Sequence, residues 1–446
     1  MKNSWDYLDN RSLPDWYTNA KFGIFIHWGP YSVPAYKTVV DKQFGSYAEW
    51  YYATVYGNYG DNKDPFHQKV YGNKEYREFG YDFKAELFDP DSFAEIIKNS
   101  GARYAVLTSK HHDGFCLWKT DNVHKVNWNS ADIGPHRDLV KELSESIRKK
   151  GIKFGLYYSI IDWESVPSHR CDGRYFIPMK DVKKYGLSKE VYLKEVLQKQ
   201  LYEIVNKFKP SLIFADGGEW DLTEDEVKIR EFLYWLYNKS PVKDEVVVND
   251  RFYKGMEGKH GDYFSTEYND KVLEGYHIFE ESRGIGKSYG YNRLEKLEDY
   301  LTSQEIIKKL YKTVSKGGNF LLNIGPRADG QIPTLQVERL KEVGRWLEFC
   351  GEAIFNTRAN FKFINSTTNE EFNYYFINPQ KENEFKIENK FLKEIGNNVD
   401  VLGVENNCKI SDGKLLINNK YEYYNQIINY DVIVLRKIKR SKNGKQ

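Results

Sequence analysis

Side chains able to do chemistry stand at the ends of short apolar runs in this chain. "FGIFI" leads into His27 and Trp28. "RYAVLTS" leads into Lys110, His111, His112 and Asp113. "SLIFAD" ends on Asp216 with Gly217 and Gly218 behind it, "VVVND" precedes Arg251, and "DYFSTEY" carries Glu267. Histidines and carboxylates gathered in this way support three chemistries: a metal site, an acid/base pair, or a clamp that grips a polar ligand through hydrogen bonds. The metal reading is the weakest, because no H-x-H, H-E-x-x-H or paired cysteine is present. Neighbours on a regular strand also point to opposite faces. His111 and His112 therefore share a pocket only where the strand gives way to a loop.

Among the carboxylates, Asp216 is placed best. Leu212, Phe214 and Asp216 fall on one face of a strand. If that face looks inward, Asp216 emerges at the mouth with Phe214 beneath it, and the two glycines let the backbone turn away and leave it accessible. Position alone fits a nucleophile and a helix-capping aspartate equally well. General acid/base work needs a second carboxylate, and Glu49, Glu267, Glu280 and Glu281 are candidates. Position does not choose among them, although Glu267 is favoured by ending its own strand. Arg251 suits a partner for a carboxylate or a substrate hydroxyl, or a purely structural ion pair. Glu219 and Asp221 read as loop charges.

Such residues need a scaffold. Strand-like runs at 22–28, 103–109, 153–159, 211–216, 246–250, 263–268 and 319–325 alternate with helical patterns at 137–151, 188–208 and 303–318. Apolar strands separated by amphipathic helices predict a parallel sheet. Seven or eight such units fit an α/β fold of the (β/α)8-like, TIM-type barrel class. No G-x-G-x-x-G follows the first strand to support a dinucleotide fold. In a parallel barrel the functional groups gather at the C-terminal ends of the strands, where the residues above stand. A last helix over 334–355 closes the unit. From about 360 the texture changes to short Tyr/Phe/Ile/Val runs broken by Asn, Lys and Gly, which predicts a small all-β sandwich. The expected domains are 1–355, catalytic barrel, and 356–446, C-terminal sandwich.

A formal net charge of +2 with no long basic block before the last dozen residues gives no reason to expect a nucleic-acid partner. No run of 18 apolar residues suggests a membrane span, and the N-terminus lacks an apolar leader. Four widely spaced cysteines read as free thiols in a reducing compartment, so the expected location is cytoplasmic.

Taken together, the motifs "KFGIFIHWGPYSVPAY", "SYAEWYY", "SKHHDGFCLW", "FGLYYSIIDW", "IFADGG", "VVNDRF", "DYFSTEY", "FEESRGIGKSYGYNR" and "LLNIGPRADGQIP" resemble, in order, the family 29 glycoside hydrolases, the α-L-fucosidases. The resemblance runs from about residue 5 to 350. It implies a retaining exo-fucosidase that works through a covalent glycosyl-enzyme intermediate, with carboxyls roughly 5–5.5 Å apart. Asp216 matches the family's nucleophile. "STEY" resembles an acid/base segment, which points to Glu267, with Glu280 second. His27, Glu49, Trp50, His111, His112, Tyr157 and Arg251 match positions that bind fucose hydroxyls or order the site, with Tyr157 preferred to its neighbour Tyr158. Phe214 and Tyr289 match aromatic positions that face the sugar. The implied partner is a fucosylated oligosaccharide or glycoconjugate, with no metal and no organic cofactor. A homo-oligomer is admitted.

Overall fold

The computed structural model describes residues 4–42, 45–57, 65–166, 184–218, 220–269 and 278–377. Beyond 377 it describes 385–386, 395, 399–403, 408–411, 414–417 and 432–439. Its centre is a parallel sheet of eight strands: β1 (Phe22–Ile26), β2 (Tyr104–Lys110), β3 (Lys153–Ser159), β4 (Leu212–Asp216), β5 (Val247–Val248), β6 (Phe264–Glu267), β7 (Phe279–Gly284) and β8 (Asn319–Ile324). The sheet order is β5-β4-β3-β2-β1-β8-β7-β6. A parallel bridge from Asn249 to Tyr263 joins the two edges and curls the sheet into a barrel.

The strands are short and buried on both faces, as parallel strands under helices must be. The helices follow from their apolar stripes. Leu139–Lys149 buries Leu139, Val140, Leu143 and Ile147, and Asp138 caps its start by accepting from Lys141 N–H. Ser303–Ser315 starts with a capping box between Thr302 and Glu305. The predicted helix over 188–208 is α-helical from Gln198 to Phe208 and π-helical over Tyr192–Leu197. β5 runs into β6 without an intervening helix, which leaves the Arg251 loop free to shape the barrel mouth.

One barrel strand escapes the sequence pattern. β7 reads Phe-Glu-Glu-Ser-Arg-Gly and, like β6 (Phe-Ser-Thr-Glu), lacks an apolar run. Its first inward residue, Glu280, lies in the barrel's lower layer. There Glu280 Oε2 accepts from Tyr104 (2.6 Å) and Tyr17 (3.2 Å), while Oε1 has no partner among the described residues. Gly23 makes room for this layer, since a Cβ there would sit 2.4 Å from the Tyr104 ring.

After the helix Thr334–Cys350, the all-β part comprises a five-stranded and a three-stranded antiparallel sheet. It rests on the barrel through stacking of Phe376 on Tyr311 (4.8 Å). Cys116 and Cys350 are buried free thiols, and Cys171 lies outside the described residues. Among the described residues no helix is long and apolar enough to cross a membrane.

Burial pushes the Glu280 carboxyl up to about 7, against the pull of its tyrosine hydrogen bonds. Because the fold holds this proton more tightly than the unfolded chain does, its contribution to stability is fully present below the ordinary glutamate value, where both states are protonated. That contribution is lost as pH rises toward 7. Glu280→Gln keeps an acceptor for the tyrosines and removes the titration. Between pH 5 and 8 the wild type should lose on the order of 2 kcal/mol relative to the variant, read by urea unfolding. Parallel stability curves would refute a buried, protonated Glu280.

Candidate active site

At the end of β1, Phe25 and His27 face inward. Asn323 Nδ2 donates to the Tyr289 carbonyl (2.6 Å), which fixes its amide and turns Oδ1 toward His27 Nδ1 (2.7 Å). Nδ1 must then carry the proton, leaving Nε2 as an acceptor. Burial drives His27 down to about 3 and His111 well below its ordinary value, so both are neutral hydrogen-bonding groups.

The histidine pair sits where β2 loses its regularity. The pairing register slips between Thr108 and Lys110, and past the slip both His111 and His112 line one cavity. His112 Nδ1 meets Ser159 Oγ (2.6 Å), and its Nε2 lies 3.4 Å from Asp216 Oδ2. A buried charge network holds the pair from behind. Lys110 Nζ donates to the Ile161 carbonyl and the Tyr192 hydroxyl (both 2.9 Å). Lys125 pairs with Asp162, and Arg77 grips Glu164 through two hydrogen bonds (2.7 and 2.6 Å). Asp113 turns away from the cavity. It accepts from the Tyr76 hydroxyl (2.6 Å) and from Phe115 N–H (3.1 Å).

Asp216 ends β4 with Phe214 beneath it, and both line the cavity. The Tyr157 hydroxyl donates to its Oδ2 (2.7 Å), and Arg251 Nη2 lies 3.6 Å from Oδ1. Burial alone would raise this carboxyl. Arg251, His112 and Tyr157 outweigh burial and hold it well below the ordinary carboxylate value. Glu267, at the end of β6, accepts from the Tyr47 hydroxyl (2.6 Å), and its Oε2 lies 3.5 Å from Arg251 Nη1. One guanidinium therefore stands between two carboxylates.

The walls complete the cavity. Glu49 Oε2 accepts from Gly290 N–H (2.8 Å) and Ser288 Oγ (3.0 Å), and burial pushes its carboxyl up to about 7. Trp50 stands edge-on to His112 and packs against Trp163 and Trp220. Phe25 packs against Phe214 at 5.1 Å and Tyr289 at 6.2 Å, forming an aromatic floor. Together these side chains line a narrow pocket that opens at the barrel mouth.

Of the residues singled out from the sequence, Asp216, Glu267, His27, Glu49, Trp50, His111, His112, Tyr157, Phe214, Arg251 and Tyr289 line this cavity. Tyr158 points the other way and donates to Gln200 Oε1 (2.8 Å). Glu280 and Glu281 do not line the cavity; Glu281 bonds Thr266 and Asn269 N–H on the flank of the sheet. Glu219 lies outside the described residues. Four lining residues went unread: Phe25, Tyr47, Trp220 and Ser282. One carried a signal in its spacing, since Phe25 precedes His27 by two at the end of one strand. Among the described residues no group of three or more His, Cys, Asp or Glu side chains is arranged to hold a metal ion.

Residues 1–352 match the family described as Alpha-L-fucosidase. The chain belongs to the α-L-fucosidase family. It is 40% identical over 379 residues to an alpha-L-fucosidase of Dictyostelium discoideum, covering 82% of this chain and 78% of that protein. It is 42% identical over 358 residues to the human tissue alpha-L-fucosidase, covering 79% and 72%. Among solved structures it resembles a Thermotoga maritima alpha-fucosidase bound to a mechanism-based inhibitor. That match has a TM-score of 0.75 and 32% identity, over 98% of this chain and 100% of the other. The likeness to that fucosidase therefore extends through the C-terminal all-β part, beyond the region the family description covers.

The fucosidase cavity depends on the turn behind its histidines. Gly114 has φ +75°, and a Cβ there would meet Asp162 Oδ2 at 2.4 Å and Lys125 Nζ at 2.7 Å. Gly114→Ala should split that buried pair and cost about 3 kcal/mol or more, read as a large fall in thermal midpoint. A midpoint shift of only a degree or two would mean that the network does not brace the turn.

Proposed function

We propose that this chain is an exo-acting, retaining α-L-fucosidase that removes terminal fucose from oligosaccharides or glycoconjugates. The observation that carries the reading is the pair of carboxylates, Asp216 and Glu267, flanking one guanidinium inside a cavity ringed by hydrogen-bonding side chains.

In the first step Asp216 attacks the anomeric carbon while Glu267 gives its proton to the leaving glycosidic oxygen. The anomeric C–O bond to the aglycone breaks, and an ester bond to Asp216 forms. In the second step the Glu267 carboxylate takes a proton from water. The hydroxide equivalent attacks the anomeric carbon, and Asp216 leaves as a carboxylate. Asp216 suits the first role because its donors keep it ionised. His27, His111 and Glu49 serve fucose hydroxyls, and Trp50 walls them in. A neutral His27 with a free Nε2 accepts from a hydroxyl, and a site built to pair hydroxyls rejects sugars that lack them. Phe25, Phe214 and Tyr289 give the sugar's methyl group an apolar seat.

The test is release of 4-nitrophenol from its α-L-fucoside, with the first-formed fucose carrying the α configuration by proton NMR. Asp216→Gly should lower kcat by at least about a thousandfold and respond to azide by forming β-fucosyl azide. Glu267→Ala should harm unactivated fucosides far more than the nitrophenyl substrate. Activity on galactosides alone would refute the substrate, and an unimpaired Asp216→Gly would remove the nucleophile.

A further inference from the structure

Arg251 has a third acidic neighbour. Its Nε lies 3.5 Å from Oε1 of Glu257, a residue of the helix-free loop between β5 and β6. The contact is built from two sides. Asp250 Oδ2 accepts from Gly258 N–H (2.9 Å) while its Oδ1 accepts from Ser265 N–H (3.0 Å) and Oγ (2.7 Å). One carboxylate thus ties the Glu257 segment to the strand that carries Glu267. On the other side, Gly218, two residues after Asp216, clears the path. A Cβ there would lie 2.6 Å from Glu257 Oε1.

The acid step poses a problem that Glu257 answers. Tyr47 and Arg251 both donate toward Glu267, and both favour its ionised form. Protonating the leaving oxygen requires the neutral form. A carboxylate on the far edge of the guanidinium offsets part of the positive charge that Glu267 feels and adds negative potential of its own. Both effects help Glu267 keep its proton. We infer that Glu257 is a positioning residue that tempers the charge of Arg251 across its Nε edge, at ion-pair distance and without a hydrogen bond, so that Glu267 is protonated when the glycosidic bond breaks.

This inference rests on the roles given above to Asp216 and Glu267. Among the described residues, other ionisable groups also face the centre, and Tyr268 stands with them beside Glu267. His112 and Tyr157 face Asp216, Tyr47 and Tyr289 face Glu267, Glu49 is tied to Gly290 and Ser288, and Lys254 on the loop pairs with Asp221 (2.5 Å). The Glu257 side chain is 48% exposed, so its ion pair contributes little to stability, and a change in activity would not be a folding effect.

The experiment is the pH dependence of kcat/KM for an unactivated substrate, methyl α-L-fucoside. The alkaline limb should move to lower pH by about half a unit in Glu257→Gln and return toward the wild-type position in Glu257→Asp. Gly218→Ala, which displaces the Glu257 carboxylate, should shift the limb in the same direction and add nothing in combination with Glu257→Gln. Thermal midpoints should stay within a degree or two. An alkaline limb unmoved in both Glu257→Gln and Gly218→Ala would overturn the inference. Glu267→Ala serves as the separate control: if it retains the alkaline limb, Glu267 is not the acid, and the assignment of roles fails first.

Discussion

Everything at the barrel mouth depends on how one guanidinium is shared. Two carboxylates, the proposed nucleophile Asp216 and the proposed acid/base Glu267, lie inside a mostly desolvated cavity, and Arg251 stands between them. Burying carboxylates without compensation raises both toward the neutral form, which would leave no nucleophile. The compensation is unequal. Asp216 has Arg251, His112 and a tyrosine hydroxyl, whereas Glu267 has the other edge of the same guanidinium and one hydroxyl. For Asp216 the donors win over burial and keep the carboxylate ionised, which is what the proposed nucleophilic role demands. Under the proposed roles, Asp216 loses its charge on becoming an ester, so more of the Arg251 field falls on Glu267 and favours the carboxylate that the second step needs.

The histidines play a different part, and desolvation is again the reason. A charged imidazole at His27 or His111 would pay for burial with no carboxylate of its own, so both stay neutral. Neutral rings offer directed hydrogen bonds without adding charge to a centre whose balance is already set. Their aim is fixed by what lies behind them: Asn323 for His27, and the turn braced by Lys110, Lys125 and Asp162 for the His111–His112 pair. Buried ion pairs are weak evidence for stability. Here the pairs sit immediately behind ligand-facing side chains, where holding a geometry matters more than adding to a folding free energy.

Much of this was legible in the sequence because period-two alternation and strand ends obey simple geometry. Phe214 and Asp216, or Phe25 and His27, must share a face if the strand is regular, and a parallel barrel collects strand ends at one mouth. β7 was not legible for the same reason. Its residues are polar because two of them face a tyrosine layer and a neighbouring strand's threonine, partners distant in sequence. Tyr47 was hidden similarly, since its worth lies in meeting Glu267 across more than two hundred residues of chain.

Glu267 and Glu280 show what sequence position cannot supply. Both are glutamates on adjacent barrel strands, and each stood as a candidate acid. Their difference is depth. Glu280 enters at the start of β7 and lies among tyrosines in the lower layer, with Ser282 two residues further along already at the cavity. Glu267 closes β6 and faces the cavity directly. Both accept from tyrosine hydroxyls, and Glu267 also meets a cation and the cavity. A buried glutamic acid with no cation and no access keeps its proton and serves the fold. One that meets both can exchange its proton with a substrate. Along a barrel strand a step of two residues is enough to pass from one condition to the other.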